Sequence, residues 1–361
     1  MTISAEKQEL KRRQRVNWIK AATFGRPDHI PVSCGINPSC WNFYPHEALK
    51  GLMAEHKLLF PEYEYDAAPF RPEYSPGCRK DKPYIDGWGC KWVTTTDGIL
   101  GTVHEHPLSD LSRLDTMTIP DPDKHNGFVP IDWPKVENEL RDAKEKGFFI
   151  VASIPHGHTF LRMCDLCGYE NFLMAMADAD PRIEQLLEIV CSFNCKVLSH
   201  YFEVGVDVTS IGEDLGMQIG PMLSPSQFRK YIKPCYRRYV DLARKHGSIV
   251  HMHSDGDLRE LVTDMLDAGI DVLNMQDLVN GIEWIASNLK GRCCIDLDID
   301  RQDITINGSP DDIDKLIRKE VEMLGSKEGG LMLLHGVYPP MPLENIKAVM
   351  DAMEKYAVYY S

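Results

Sequence analysis

The chain has little that would hold it to a polyanion or a membrane. Its 40 Lys and Arg residues are outnumbered by 54 Asp and Glu, giving a net charge of −14, whereas a phosphate-binding face needs clustered cations. Nucleic acid is therefore excluded as an expected partner. The densest basic run, Lys11-Arg12-Arg13-Gln14-Arg15, lies beside Glu6 and Glu9 and reads as a solvated helix face. No apolar run reaches the roughly 18–20 residues a membrane span requires, and the polar segment Met1–Leu10 has no signal-like apolar stretch. A cytoplasmic location is the resulting expectation. No GxGxxG follows a candidate strand, which argues against a dinucleotide-binding fold. The 11 cysteines are odd in number and scattered, so a disulfide framework is not expected. Cys164-Asp-Leu-Cys167 has redox-pair spacing without a thioredoxin-like surround, and Cys191 and Cys195 fall one helical turn apart.

What is present is a regular alternation of elements. Periodicity predicts helices over 5–22, 133–146, 182–203, 225–246, 258–268, 282–289, 310–324 and 343–357. Between them lie short apolar strands at 30–34, 148–152, 206–211, 249–253, 272–275, 293–299 and 331–334. Strand and helix alternating about eight times, with short connectors, predicts a single α/β domain over 1–361, a (β/α)8 TIM barrel. The segment up to about residue 130 reads as an N-terminal helix, a first strand and an irregular excursion. A β-hairpin is expected there around Trp88–Trp92 and Val103, with a turn at Asp97-Gly98.

In a barrel the chemistry sits at the C-terminal ends of the strands, and those ends carry the candidates. The segment Glu213-Asp214-Leu-Gly216-Met-Gln218 offers two acids and an amide for metal binding, proton transfer or substrate orientation. His251, His253 and Asp255 alternate, so they share one strand face, and imidazole with carboxylate is a zinc-ligand set. His335 and Tyr338 end the last strand, and His156-Gly-His158 ends an earlier one. Asp296, Asp298 and Asp300 alternate at the end of the seventh strand, so at least one is expected to point inward, with Asp300-Arg301 as a structural ion pair the alternative. His104-Glu-His106 is read as surface structure, and the aromatics Trp41, Trp88, Trp92 and Tyr338 as candidates to line the mouth.

At these residues the chain resembles the uroporphyrinogen decarboxylase superfamily. The resemblance runs through Phe24-Gly-Arg-Pro-Asp-His-Ile-Pro-Val32, Gly205-Val-Asp207, Glu213-Asp-Leu-Gly216, Ser224-Pro225 and Phe228 to Pro234. It continues through His253-Ser-Asp-Gly256, Ala268 to Asn274, Asp300-Arg-Gln302, Gly308-Ser-Pro310 and Pro342-Leu-Glu-Asn345. The decarboxylases carry an N-terminal arginine motif that grips porphyrinogen carboxylates; here the corresponding stretch reads Val32-Ser-Cys-Gly-Ile-Asn37, with no arginine. The resemblance therefore points to the corrinoid-dependent methyltransferase and O-demethylase branch. It implies zinc held by residues at the positions of His253, Asp255 and His335, with Glu213 as a further ligand or proton donor. Thiolates at two of these positions in the thiol-methylating enzymes are here a carboxylate and an imidazole, a harder donor set suited to polarising an ether, amine or hydroxyl.

The expected activity is methyl transfer between a small methylated molecule, such as an aromatic methyl ether, and the cobalt of a separate corrinoid-binding protein. Glu213, Asp214 and His335 are the expected catalytic groups. His156, Gln218, Trp41, Trp88, Trp92 and Tyr338 are expected to contact substrate. One alternative is a metal-free decarboxylase or lyase using Glu213, Asp214 and His335 as acid and base. Another is a non-catalytic barrel that binds a corrinoid or tetrapyrrole.

Overall fold

A computed structural model of the chain describes residues 4–68 and 70–361. Twelve strands are present among them: β1 (Val32–Ile36), β2 (Tyr84–Ile85), β3 (Lys91–Val93), β4 (Thr102–Glu105), β5 (Val151–Ser153), β6 (Val208–Gly212), β7 (Gly216–Met217), β8 (Gly220–Pro221), β9 (Ile249–His253), β10 (Val272–Gln276), β11 (Cys294–Asp298) and β12 (Leu331–Val337). The chain forms two compact units, one of Met1–Cys78, Thr96–Ile99 and Leu273–Ser361, the other of Arg79–Thr95 and Leu100–Val272.

In the first unit the strand order is β1-β12-β11-β10. β1 pairs parallel to β12 with Cys34 opposite His335, and β11 pairs parallel to β12 with Asp298 opposite Leu334. Helices Pro310–Leu324 and Leu343–Ala357 occupy the residues the periodicity predicts. The first of these starts at a capping box, in which Ser309 and Asp312 satisfy each other's backbone N–H groups.

In the second unit the order is β9-β6-β5, again parallel, with Ser153 opposite Ser210 and Ser210 opposite His251. β9 shows the expected period of two. Val250 and Met252 are fully buried, while Ile249, His251 and His253 are half-buried on the other face. The 24-residue helix Pro181–Val204 packs against the helix Lys233–Lys245. The expected hairpin is a three-stranded antiparallel sheet, β2-β3-β4.

Two expectations are corrected. The helix expected over 225–246 is broken: Pro225–Gln227 leads into a π-helical turn, Phe228–Ile232, and regular helix resumes at Lys233. Pro234 explains the break, because it lacks the N–H that would close the previous turn. The stretch 36–110 is also more ordered than expected, containing helices Cys40–Phe43 and His46–Glu55. Two helices that the periodicity missed, Phe160–Cys167 and Tyr169–Ala177, follow β5 and are separated by Gly168 at φ +85°. No helix is long and apolar enough to cross a membrane among the described residues.

Candidate functional site

Three parallel strands of the second unit deliver one polar cluster. His156 follows β5, Asp214 follows β6, and His253 ends β9. The Nε2 atoms of His156 and His253 stand 3.4 and 3.5 Å from the same oxygen, Asp214 Oδ1. One ligand atom from each of the three residues lies within 4.8 Å of the others. The two imidazole rings are 5.5 Å apart between centroids and inclined by 50°. The side chains of His156 and Asp214 are 43% and 35% exposed, so a small molecule can reach the cluster.

Local backbone chemistry explains the convergence. Gly212 pairs in register with His253, and a Cβ on it would press at 3.4 Å on both imidazole side chains, so glycine leaves them room. The Gly157 N–H donates to the Gly212 carbonyl at 2.8 Å, tying the His156 loop to the end of β6. Beyond the strands the pairing continues: Glu213 N–H donates to His253 O, Asp255 N–H to Asp214 Oδ1, and Gly216 N–H to Asp255 O, at 3.1, 3.2 and 3.1 Å. The two segments cross at Gly216 and Gly256. A Cβ on Gly256 would sit 2.2 Å from the backbone of Gly216, and Gly256 has φ +85°. Both positions therefore demand glycine.

Burial opposes the charge of Asp214, but hydrogen bonding and positive charge from His156 and His253 outweigh it and hold the carboxyl well below the usual carboxylate range. Asp255 is next to the cluster, with Oδ1 4.0 Å from His253 Nε2. His251 lies one layer deeper, its Nδ1 3.4 Å from Ser210 Oγ.

Glu213 points away from this cluster and is fully buried. Its Oε2 accepts the N–H groups of Thr159 and Leu161 at 3.1 and 3.0 Å, and its Oε1 accepts the Tyr236 hydroxyl. Burial pushes its carboxyl up to about 7, against the three hydrogen bonds that favour the ionised form. His158 is buried beside it, 3.9 Å from Glu213 Oε1. Burial, followed by His156 and Arg162, pushes the His158 imidazole down to about 3, so it is neutral.

The remaining expected residues are placed as follows. His335 is wholly buried and shares the alternation of Leu333 and Val337, whereas Leu334 and Gly336 are half-buried. Its Nδ1 lies 3.4 Å from Ile299 O, and burial pushes its pKa down to about 4. The alternation of β12 puts the imidazole on the buried face, where its Nε2 has no hydrogen-bond partner. Trp88 packs on Phe193, Trp92 donates its Nε1–H to Asp86 Oδ2 at 3.0 Å, and Trp41 packs at a tilt against Phe70. All three tryptophans are buried. Gln218 is exposed at the tip between β7 and β8. Tyr338 is 40% exposed with Arg301 over its ring. Arg301 pairs with Asp298 at 2.7 Å and not with Asp300, which instead accepts backbone N–H groups of Gln302, Asp303 and Thr305.

Sequence reasoning missed Tyr236, Thr159 and the buried ion pair of Arg162 with Asp86, 2.7 Å apart. The signal for Tyr236 was a phenol inside an apolar helix pattern, which reads as packing until its hydroxyl finds a partner. Cys164 and Cys167 are buried free thiols, and burial raises both, Cys167 to about 12, so the redox-pair spacing is packing.

Comparison with known proteins adds lineage to this geometry. A family model described as Uroporphyrinogen decarboxylase (URO-D) matches residues 87–356, well over half of the chain. The chain is 26% identical over 201 residues to the Methylcobamide:CoM methyltransferase MtaA of Methanosarcina barkeri, covering 53% of this chain and 54% of that protein. It is 28% identical over 178 residues to a uroporphyrinogen decarboxylase of Thermus thermophilus, covering 48% of each. The chain thus spans about half the length of these curated relatives. A solved methyltransferase from Methanosarcina mazei superposes with a TM-score of 0.63 at 19% identity, over 96% of this chain and 99% of that one. That likeness shows the fold, an α/β fold of the TIM-barrel class.

Proposed function

The chain belongs to the uroporphyrinogen decarboxylase (URO-D) family, and on that premise we propose that it is a methyltransferase using a zinc site formed by His156, Asp214 and His253. It moves a methyl group between a small methylated molecule, such as an aromatic methyl ether, and the cobalt of a corrinoid held by a separate protein. The observation that carries this reading is the convergence of two imidazole Nε2 atoms on one carboxylate oxygen at adjoining strand ends.

The donor set fits the metal. Two imidazoles and a carboxylate are zinc ligands, and three protein ligands leave a position for substrate, the arrangement of catalytic zinc sites. Bound there, zinc supplies a Lewis acid that improves a methyl-bearing oxygen or nitrogen as a leaving group. The protein's own groups orient and neutralise. Asp214 stays ionised against burial, His253 is held by the register of β9 on β6, and Asp255 adds a second carboxylate within 4.0 Å of His253. This set replaces the grouping of His253 with Asp255, His335 and Glu213. It keeps His253 and assigns the carboxylate to Asp214 and the second imidazole to His156. The lyase alternative needs Glu213 and His335 to reach a substrate, and both are fully buried. No arginine stands in Val32–Asn37 to grip a polycarboxylate.

The test is metal analysis of protein produced in zinc-supplemented medium, together with methyl transfer to cob(I)alamin from a panel of aromatic ethers, amines and alcohols. Wild type is expected to retain zinc and turn over. His156→Ala, Asp214→Asn and His253→Ala are expected to lose metal and turnover together while keeping the fold. A wild type without metal whose His253→Ala variant is as active as the parent would end the reading.

A further inference from the structure

Glu213 and Asp214 are neighbours in the chain that serve opposite sides of the β6 end. Asp214 meets the two imidazoles; Glu213 has no exposed surface. Its hydrogen bonds go to the start of the helix Phe160–Cys167, where Thr159 is the N-cap residue. A helix start leaves several backbone N–H groups without partners, normally taken by the side chain of the cap residue. Thr159 makes no such bond. Its hydroxyl is committed elsewhere, 2.7 Å from His158 Nδ1 and 3.0 Å from the Tyr239 hydroxyl. Glu213, from a different strand, takes the cap's place, and a carboxylate at a helix N-terminus also meets the positive end of the helix dipole.

This places two fastenings directly after His156. Gly157 N–H is bonded to Gly212 O, the residue before Glu213. Farther along, Thr159 and Leu161 N–H are bonded to Glu213 itself. The chain leaving His156 is therefore tied at two successive points to the two residues that precede Asp214. Tyr236, just past the π-helical turn, donates to the remaining carboxylate oxygen.

We propose that Glu213 is a positioning residue: by capping the helix Phe160–Cys167 from β6 it holds His156 Nε2 over Asp214 Oδ1 and so sets the geometry of the cation site. This rests on the reading of His156, Asp214 and His253 as a cation site. The proposal assigns Glu213 neither metal binding nor proton donation.

Co(II) is the probe, because its visible spectrum reports ligand geometry as well as binding. In full-length protein, Glu213→Ala is expected to weaken Co(II) binding roughly 10- to 100-fold, the range seen when groups supporting a ligand are removed, and to alter the visible band. Glu213→Gln keeps one acceptor for the cap N–H groups and is expected to fall between Glu213→Ala and wild type. Tyr236→Phe leaves both N–H bonds in place and is expected to bind Co(II) close to wild type, which separates capping from general loss of packing. If Glu213→Ala fails to fold, Glu213→Gln against Tyr236→Phe carries the comparison. Wild-type affinity and spectrum in Glu213→Gln and in any folded Glu213→Ala would overturn the proposal. If wild type binds no Co(II), the cation reading fails by itself. Positioning is then decided by crystal structures of metal-free wild type and Glu213→Gln. A displaced His156 in the variant supports it, and a His156–Asp214 separation unchanged from wild type refutes it.

Discussion

Replacing Glu320 by glutamine should make the stability of the protein less sensitive to alkaline pH. Glu320 sits on the helix Pro310–Leu324, wholly buried, and no hydrogen-bond donor reaches either of its carboxyl oxygens. It faces Asp277, which is itself buried and accepts the N–H groups of Leu278 and Asp300. Asp300 and Lys319 are the other charged groups near Glu320. Burial, then the negative charge of Asp277, raises the Glu320 pKa well above its ordinary 4.5. Two carboxylates in a dry site cannot both ionise at acceptable cost. One proton resolves the conflict: Glu320 keeps it and donates to Asp277. The native state then holds a proton that the unfolded chain releases above about pH 4.5. Stability from this pair is complete below that pH and is lost as pH rises through the native pKa, with a slope of at most about 1.4 kcal/mol per pH unit.

Glutamine donates to Asp277 at every pH. A hydrogen bond to a charged acceptor contributes about 1.5–3 kcal/mol. Glu320→Gln should therefore match wild type within about 1 kcal/mol near pH 4.5 and gain on it progressively as pH rises above that, by at most about 1.4 kcal/mol per pH unit. Urea unfolding of both proteins across a pH series measures the gap. Parallel stability curves, with a gap independent of pH, would refute the shared proton.

His335 should act with the opposite sign. Its pKa falls from 6.5 to about 4 on folding, so its contribution is present above pH 6.5 and is lost as pH falls toward 4. Relative to wild type, His335→Gln should lose acid sensitivity worth up to about 3 kcal/mol, read from urea midpoints between those pH values. Gly256→Ala should be severely destabilised, by more than about 3 kcal/mol, since it combines a left-handed φ with a Cβ 2.2 Å from the Gly216 backbone. A melting temperature within a degree or two of wild type would contradict that crossing.

The fold was legible because its signals are local. The period of two in Ile249–His253 and the helical periods over 310–324 and 343–357 reappear in the structure with the same bounds, since each reports which face of one element is buried. Glycine and proline punctuation likewise marked the turn at Asp97-Gly98, where Gly98 has φ +87°. The missed helix Phe160–Cys167 carries Arg162, a charged residue on a buried face. Its pairing with Asp86 makes that burial tolerable, and a pairing 76 residues away leaves no local trace.

The sequence by itself determined the residue types of the site and their strand: His156, Asp214 and His253 were all singled out as strand-end residues, though with separate roles. Only the tertiary structure decided which of them meet. Register brings Gly212 beside His253, and the Gly216–Gly256 crossing brings Asp214 and Asp255 together. Tertiary packing also divided Glu213 from its neighbour Asp214. Adjacent side chains at a strand end face opposite ways, and which one is buried depends on whether a helix start lies waiting for a carboxylate. The burial of His335 follows the same physics: alternation along β12 is visible in sequence, but which alternate face is closed off is fixed only by what packs against it.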